Sequence, residues 1–101
     1  MAAQHKYALL VLFLVFGAFV TDFANASTFT AWRGPGCTRA RDVYGCGCNN
    51  IRYHGGFSFD YTGQPARFYS RSGCGGRVLA TFRQDRRRCA SFPYGSIRIF
   101  C

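Results

Sequence analysis

The chain has 101 residues, thirteen lysines and arginines against four acidic residues, a net charge of +9, and six cysteines. Past residue 26 it holds one leucine and no lysine, glutamate or methionine, which excludes a helical bundle built from strong helix formers. Its length allows a single small domain, and one histidine with three aspartates past residue 26 leaves little material for an acid–base enzyme.

Residues 1–26 read as a cleavable secretory signal segment. Lys6, beside His5, makes a basic start, 7–20 is a short apolar run, and Ala24 and Ala26 are small residues at the cleavage positions. The run is shorter than the roughly 18–20 apolar residues of a membrane span. Cleavage after Ala26 leaves a domain of 75 residues, 27–101, with all twelve arginines and all six cysteines. It also cuts the sequon Asn25-Ala26-Ser27; no other follows, so an unglycosylated protein is expected.

Within 27–101 several stretches alternate with period two, the mark of half-buried strands. In chain order these are 28–32, 41–44, 50–53, "FSFDY" at 57–61, 66–70, "RVLATFR" at 77–83 and "SIRIFC" at 96–101. The alternation places Phe57, Phe59 and Tyr61 on one face, then Val78, Ala80 and Phe82, then Ile97, Ile99 and Cys101. Gly34-Pro35-Gly36, Gly55-Gly56, Gly63-Gln64-Pro65, the glycines around Cys74, and Pro93-Tyr94-Gly95 mark the turns. Seven or eight short strands at this spacing predict an all-β sandwich or barrel. "AWRGPG" at 31–36 and "DYTGQP" at 60–65 echo each other, as a duplicated Greek-key unit would.

Such a small domain buries too little apolar surface to fold without covalent ties. Cysteines 37, 46, 48, 74, 89 and 101, in an oxidising compartment, predict three disulfides, for which fifteen pairings exist. Cys46-Gly47-Cys48 lacks the spacing of a structural zinc site. On a strand these two cysteines point the same way and reach two different partners.

The runs "FTAWRGPGC", "YGCGC", "GGFSFDYTGQPARFY", "GCGG" and "SIRIFC" resemble the plant antimicrobial proteins typified by the one from macadamia kernels, with all six cysteines in order. The resemblance implies a small disulfide-stapled Greek-key β-barrel of the βγ-crystallin-like type, secreted by plant tissue and inhibitory to fungi and some bacteria. It also implies the bridges Cys37–Cys89, Cys46–Cys101 and Cys48–Cys74. One departure concerns calcium: after Asn49-Asn50 come Ile51-Arg52 and Tyr53-His54, so the hydroxyl ligands of the crystallin calcium loop are missing. No metal and no cofactor are expected. The Arg86-Arg87-Arg88 triplet lies outside the motifs that carry the resemblance.

Charge is the remaining signal. Arg83, Arg86, Arg87 and Arg88 surround one aspartate, Asp85, and four like charges so close repel unless an anion meets them. Guanidinium groups grip phosphate, carboxylate or sulfate in pairs of hydrogen bonds. Alternation puts Arg67 and Arg71 on one side of a strand, with Tyr69 between them. Phe92 and Tyr94, flanking Pro93, are expected as an exposed apolar tip, and Trp32 as a core residue. The plainer reading makes the arginines solvated outward positions and His54 a turn residue, with Asp42, Asp60 and Asp85 neutralised by arginines; a His54–Asp60 dyad is the one enzymatic alternative.

These readings converge on a secreted, extracellular (apoplastic) defence protein that is not an enzyme. Its expected partners are anionic microbial membrane or cell-wall components, met through arginine-rich loops. No nucleic acid is expected, since no recognised nucleic-acid motif is present, and a monomer is expected. The alternative is a non-toxic binding or inhibitor module for a wall polysaccharide or a pathogen enzyme.

Overall fold

Alternation becomes architecture in a computed structural model that describes residues 25–101; the expected leader, apart from Asn25 and Ala26, lies outside the described residues. Eight strands follow in order among them: β1 (Thr28–Gly34), β2 (Thr38–Tyr44), β3 (Gly47–Asn50), β4 (Gly56–Asp60), β5 (Ala66–Tyr69), β6 (Val78–Phe82), β7 (Arg86–Arg88) and β8 (Ser96–Ile99). They form two four-stranded sheets, β2-β1-β4-β7 and β3-β8-β5-β6, with every pairing antiparallel. The result is an all-β Greek-key barrel flattened into two layers.

The order of strands reveals a duplication. The first unit, β1–β4, places three strands in the first sheet and sends β3 into the second; β5–β8 does the reverse and sends β7 into the first. Equivalent residues repeat. The Gly55 amide donates to the Trp32 carbonyl at 2.8 Å, and the Gly95 amide to the Tyr69 carbonyl at 2.8 Å. A Cβ on Gly55 would lie 2.5 Å from the Gly34 backbone and one on Gly95 2.8 Å from the Ser70 carbonyl, so both crossings require glycine. Gly36-Cys37 and Gly73-Cys74 close the first hairpin of each unit, and both cysteines have positive φ, 57° and 53°. The stretches 31–36 and 60–65, which echo each other in sequence, are not equivalent: one turns β1 into β2, the other links β4 to β5. The duplication is real, and its sequence trace is Gly-Cys rather than aromatic-x-Gly.

All three bridges run from the first unit to the second. Cys37–Cys89 joins the β1–β2 turn to the end of β7, Cys46–Cys101 joins the entry of β3 to the C-terminus, and Cys48–Cys74 joins β3 to the β5–β6 turn. These are the pairings the resemblance implied. Cys46 and Cys48 reach different partners, as their spacing requires.

The core is mainly phenylalanine: Phe29, Phe57, Phe59, Phe68, Phe82 and Phe92, completed by Ala31, Ala66, Ile51, Ile97 and Ile99. β4 and β8 bury the faces their alternation predicts. Four expectations are corrected. Phe92 is 6 % exposed rather than a surface tip; its amide donates to the His54 carbonyl, and its ring meets Phe29 and Phe57 edge-on. Trp32 is half-buried on the outer face of the first sheet, because Phe29 and Ala31 take the inward positions of β1. Val78 is 48 % exposed: a bulge at Leu79 pairs Val78 with the outward-facing Tyr69, while Ala80 stays opposite the buried Phe68. The strand expected at 50–53 is β3 instead, ending at Asn50, where Ile51 turns in and its amide donates to the Gly95 carbonyl.

Candidate functional site: an arginine edge beside an aromatic cleft

The expected "arginine-rich loop" is in part a strand. β7 pairs with β4 in the register Phe57↔Arg88, Ser58↔Arg87 and Phe59↔Arg86. Directly opposed residues share a face, so Arg86 and Arg88 sit on the inward side of an edge strand, beside buried Phe59 and Phe57, and Arg87 on the outward side. The Arg86 guanidinium lies over the Phe82 ring at 5.4 Å, and Arg88 Nε donates to the Ser91 carbonyl at 3.1 Å. Arg87 lies over the Trp32 ring at 5.7 Å. Inward-pointing charge on an edge strand keeps it from pairing with a second chain.

Between this edge and β6, the edge of the second sheet, opens a cleft of about 450 Å³. Phe57, Ala80, Phe82 and Tyr94 line it, and the three β7 arginines stand around it. Tyr94, half-buried rather than at an exposed tip, packs on Phe68 at 4.4 Å between ring centroids. Burial pushes its phenol above the ordinary tyrosine range, while Arg86 and Arg88 pull it back. Removing Arg86 should therefore raise the Tyr94 pKa further in a ring-carbon NMR titration. Because the folded value is the raised one, neutral Tyr94 stabilises the fold fully below pH ~10, and that stability is lost as pH climbs through the folded pKa.

The other expected site residues are dispersed. Arg83 is exposed in the β6–β7 connection and does not line the cleft. Arg67 is on the outer face of the second sheet, opposite Arg98 and over the Phe100 ring at 5.3 Å. Arg71 lies beyond the end of β5, so the predicted Arg67–Tyr69–Arg71 row stops at Tyr69. Sequence reasoning missed Ala80, a small residue at an inward position, and Arg98, whose pairing with Arg67 depends on register. His54 precedes β4 and Asp60 is its last residue, about 20 Å away at ~3.3 Å per residue, and His54 Nε2 bonds the Tyr94 carbonyl. They form no dyad.

The opposite edge of the first sheet carries a self-neutralised group instead. On β2, Asp42 receives two hydrogen bonds from Arg52, at 3.0 and 2.8 Å, and one from Tyr44 Oη at 3.2 Å. This is the one ion pair among the described residues. Hydrogen bonding from Arg52 holds the Asp42 carboxyl below its usual value. Its contribution to stability is present above the ordinary carboxylate pKa and is lost as pH falls through the lowered one. Arg52→Ala should return Asp42 to the ordinary range in a carboxyl NMR titration and flatten stability below pH ~4. Asp85 is used otherwise: its Oδ1 accepts from the Tyr61 amide at 2.8 Å.

A duplicated Greek-key barrel, tied across its halves by three disulfides and presenting unpaired arginines at one edge, defines a small cationic β-barrel protein. The family model described as MiAMP1 matches residues 27–101, and the chain belongs to that family. It is 36 % identical over 102 residues, spanning 100 % of both chains, to a protein named Antimicrobial peptide 1 from Macadamia integrifolia. It is 37 % identical over 99 residues to a protein of the same name from Pinus monticola, covering 94 % of this chain and 93 % of that one. The solution structure of MiAMP1, a plant antimicrobial protein, superposes with a TM-score of 0.69 at 43 % identity, over 73 % of this chain and 99 % of that chain.

Proposed function

We propose that this chain is a secreted plant defence protein, antifungal and antibacterial, that adsorbs to anionic microbial surfaces through its arginines. The observation that carries the reading is a charge imbalance: all twelve arginines are exposed and one of them, Arg52, is ion-paired. Relatives named antimicrobial peptides support it, and the family match beginning at Ser27 supports reading 1–26 as a removable leader. On this reading the protein works outside the cell as a monomer, without metal, cofactor or nucleic acid. Arg83 and Arg86–Arg88 form the densest cationic stretch, with Arg67 and Arg98 as a second patch on another face.

Each basic residue at an anionic membrane contributes about 1 kcal/mol within a Debye length of ~8 Å at physiological salt. Changing Arg86, Arg87 and Arg88 to serine should therefore weaken adsorption to anionic vesicles by about 3 kcal/mol, ~10²-fold. Inhibition of fungal growth, measured across a salt series, should fall in parallel. Full potency in the triple variant, together with potency indifferent to salt, would remove the mechanism. Saturable, salt-tolerant binding to one wall polymer without growth inhibition would point to the binding-module alternative.

A further inference from the structure

We infer that the cleft between β6 and β7 is a binding site for one amphiphilic anion, an unbranched acyl chain ending in a phosphate or carboxylate, its chain against Phe57, Ala80 and Phe82 and its head between Arg86 and Arg88. The inference deepens the surface-adsorption reading and rests on it for its setting, since it names the ligand class of the same arginines.

The two edges of the first sheet make the case by contrast. At β2 the edge carries Asp42, Tyr44 and Arg52, a group that satisfies its own charges. At β7 the opening has guanidinium groups and no carboxylate, and volume remains beneath them. Edge protection accounts for arginine on β7. It does not account for the space, which exists because β6 offers the methyl group of Ala80 where a larger side chain would fit.

The chemistry of the walls selects the ligand. The floor is phenyl and methyl, with Phe57 4 % and Phe82 7 % exposed, and Tyr94 brings the one hydroxyl. The arginines and Tyr94 can meet polar groups at the rim, but a sugar ring seated on the phenyl and methyl floor would leave its inward hydroxyls without partners, a loss an acyl chain does not incur. The volume corresponds to about fifteen waters at ~30 Å³ each, enough for one chain of moderate length and too little for both chains of a two-chain lipid. Arg86 and Arg88, two residues apart on a strand, stand roughly 7 Å apart, a span that one phosphate bridges with a hydrogen bond to each side. Neither has a carboxylate to displace.

The test is an amide NMR titration of the disulfide-intact 27–101 protein with decyl phosphate below its micelle concentration, with decanol, inorganic phosphate and a chitin oligosaccharide alongside. Decyl phosphate should saturate at one equivalent, with shifts confined to Phe57, Ala80, Phe82, Arg86, Arg88 and Tyr94. Decanol and phosphate should each bind at least tenfold more weakly. Ala80→Leu, which fills the cleft, should abolish binding without lowering the folding midpoint, and Arg86→Gln with Arg88→Gln should weaken it by 10- to 100-fold. Shifts scattered over the surface, equal affinity for the Ala80→Leu and unaltered proteins, or cleft shifts caused by the oligosaccharide would each overturn the assignment. Vesicles of phosphatidylglycerol then separate the sources. Ala80→Leu retaining vesicle adsorption assigns the cleft to free amphiphiles, and its losing both assigns it to chains in the bilayer. A failed decyl phosphate titration beside intact, salt-sensitive vesicle adsorption would sink the cleft and leave the adsorption reading standing.

Discussion

Replacing Cys46 and Cys101 together with serine is expected to lower the free energy of unfolding by about 4 kcal/mol, read from urea denaturation of the oxidised protein. The bridge spans 55 residues, and chain-entropy loss on closing such a loop gives about that figure. Cys37–Cys89, across 52 residues, should contribute nearly as much, and Cys48–Cys74, across 26, about half a kcal/mol less. A domain of this size has a net stability of roughly 4–11 kcal/mol, so reducing all three bridges, ~12 kcal/mol together, should leave it unfolded at room temperature. The topology sharpens the argument. Every bridge joins one Greek-key unit to the other, so each restrains the separation of the two halves rather than a local turn. Reduced protein that keeps its near-UV signal and cooperative transition would show that the phenylalanine core suffices, and would defeat this account of the fold.

Much of that fold is legible in the residues because burial and alternation agree. "FSFDY" and "SIRIFC" become β4 and β8 with the predicted faces inward, since each strand pairs on both edges and has one face to bury. What escapes detection is structure imposed from outside the segment. β3 is Gly-Cys-Asn-Asn, poor strand formers held extended by pairing with β8 and by the bridge at Cys48. β7 is three arginines, with no alternation to see, and is a strand because β4 offers it an edge. The bulge at Leu79 is a property of the β5–β6 pairing and leaves no signature in β6 itself. Phe92 sits in a stretch whose proline and glycine announce a turn, and turn chemistry is silent on which way the turn packs. The cleft is the least legible feature, because it needs Ala80 of one sheet to face arginines of the other across an interface. A count of cysteines and charges thus predicts the class of protein, while the site depends on register.

Truncating Phe68 tests that register from the inside. Phe68 is fully buried, with ring centroids 5.1 Å from Phe29, 4.6 Å from Phe82 and 4.4 Å from Tyr94, so Phe68→Ala opens a cavity at the centre of the aromatic core. The expected loss is about 4 kcal/mol, a large share of the roughly 4–11 kcal/mol margin, with the midpoint shifted and the urea slope unchanged. Val78→Ala, four positions before Phe82 on the neighbouring strand, should change stability by no more than about 0.5 kcal/mol, because the bulge delivers Val78 to solvent. Strict alternation along β6 demands the opposite, a buried Val78 and a loss of ~1–2 kcal/mol on truncation. The two variants therefore separate pairing geometry from sequence pattern, and they bear on the cleft as well. Ala80 faces Phe68 across the strand pair, and only with Leu79 bulged do Ala80 and Phe82 point inward while Val78 does not. If Val78→Ala proved as costly as a core truncation, β6 would lie in an unbulged register, and Val78 would join Ala80 and Phe82 in the inward row that forms the cleft's wall.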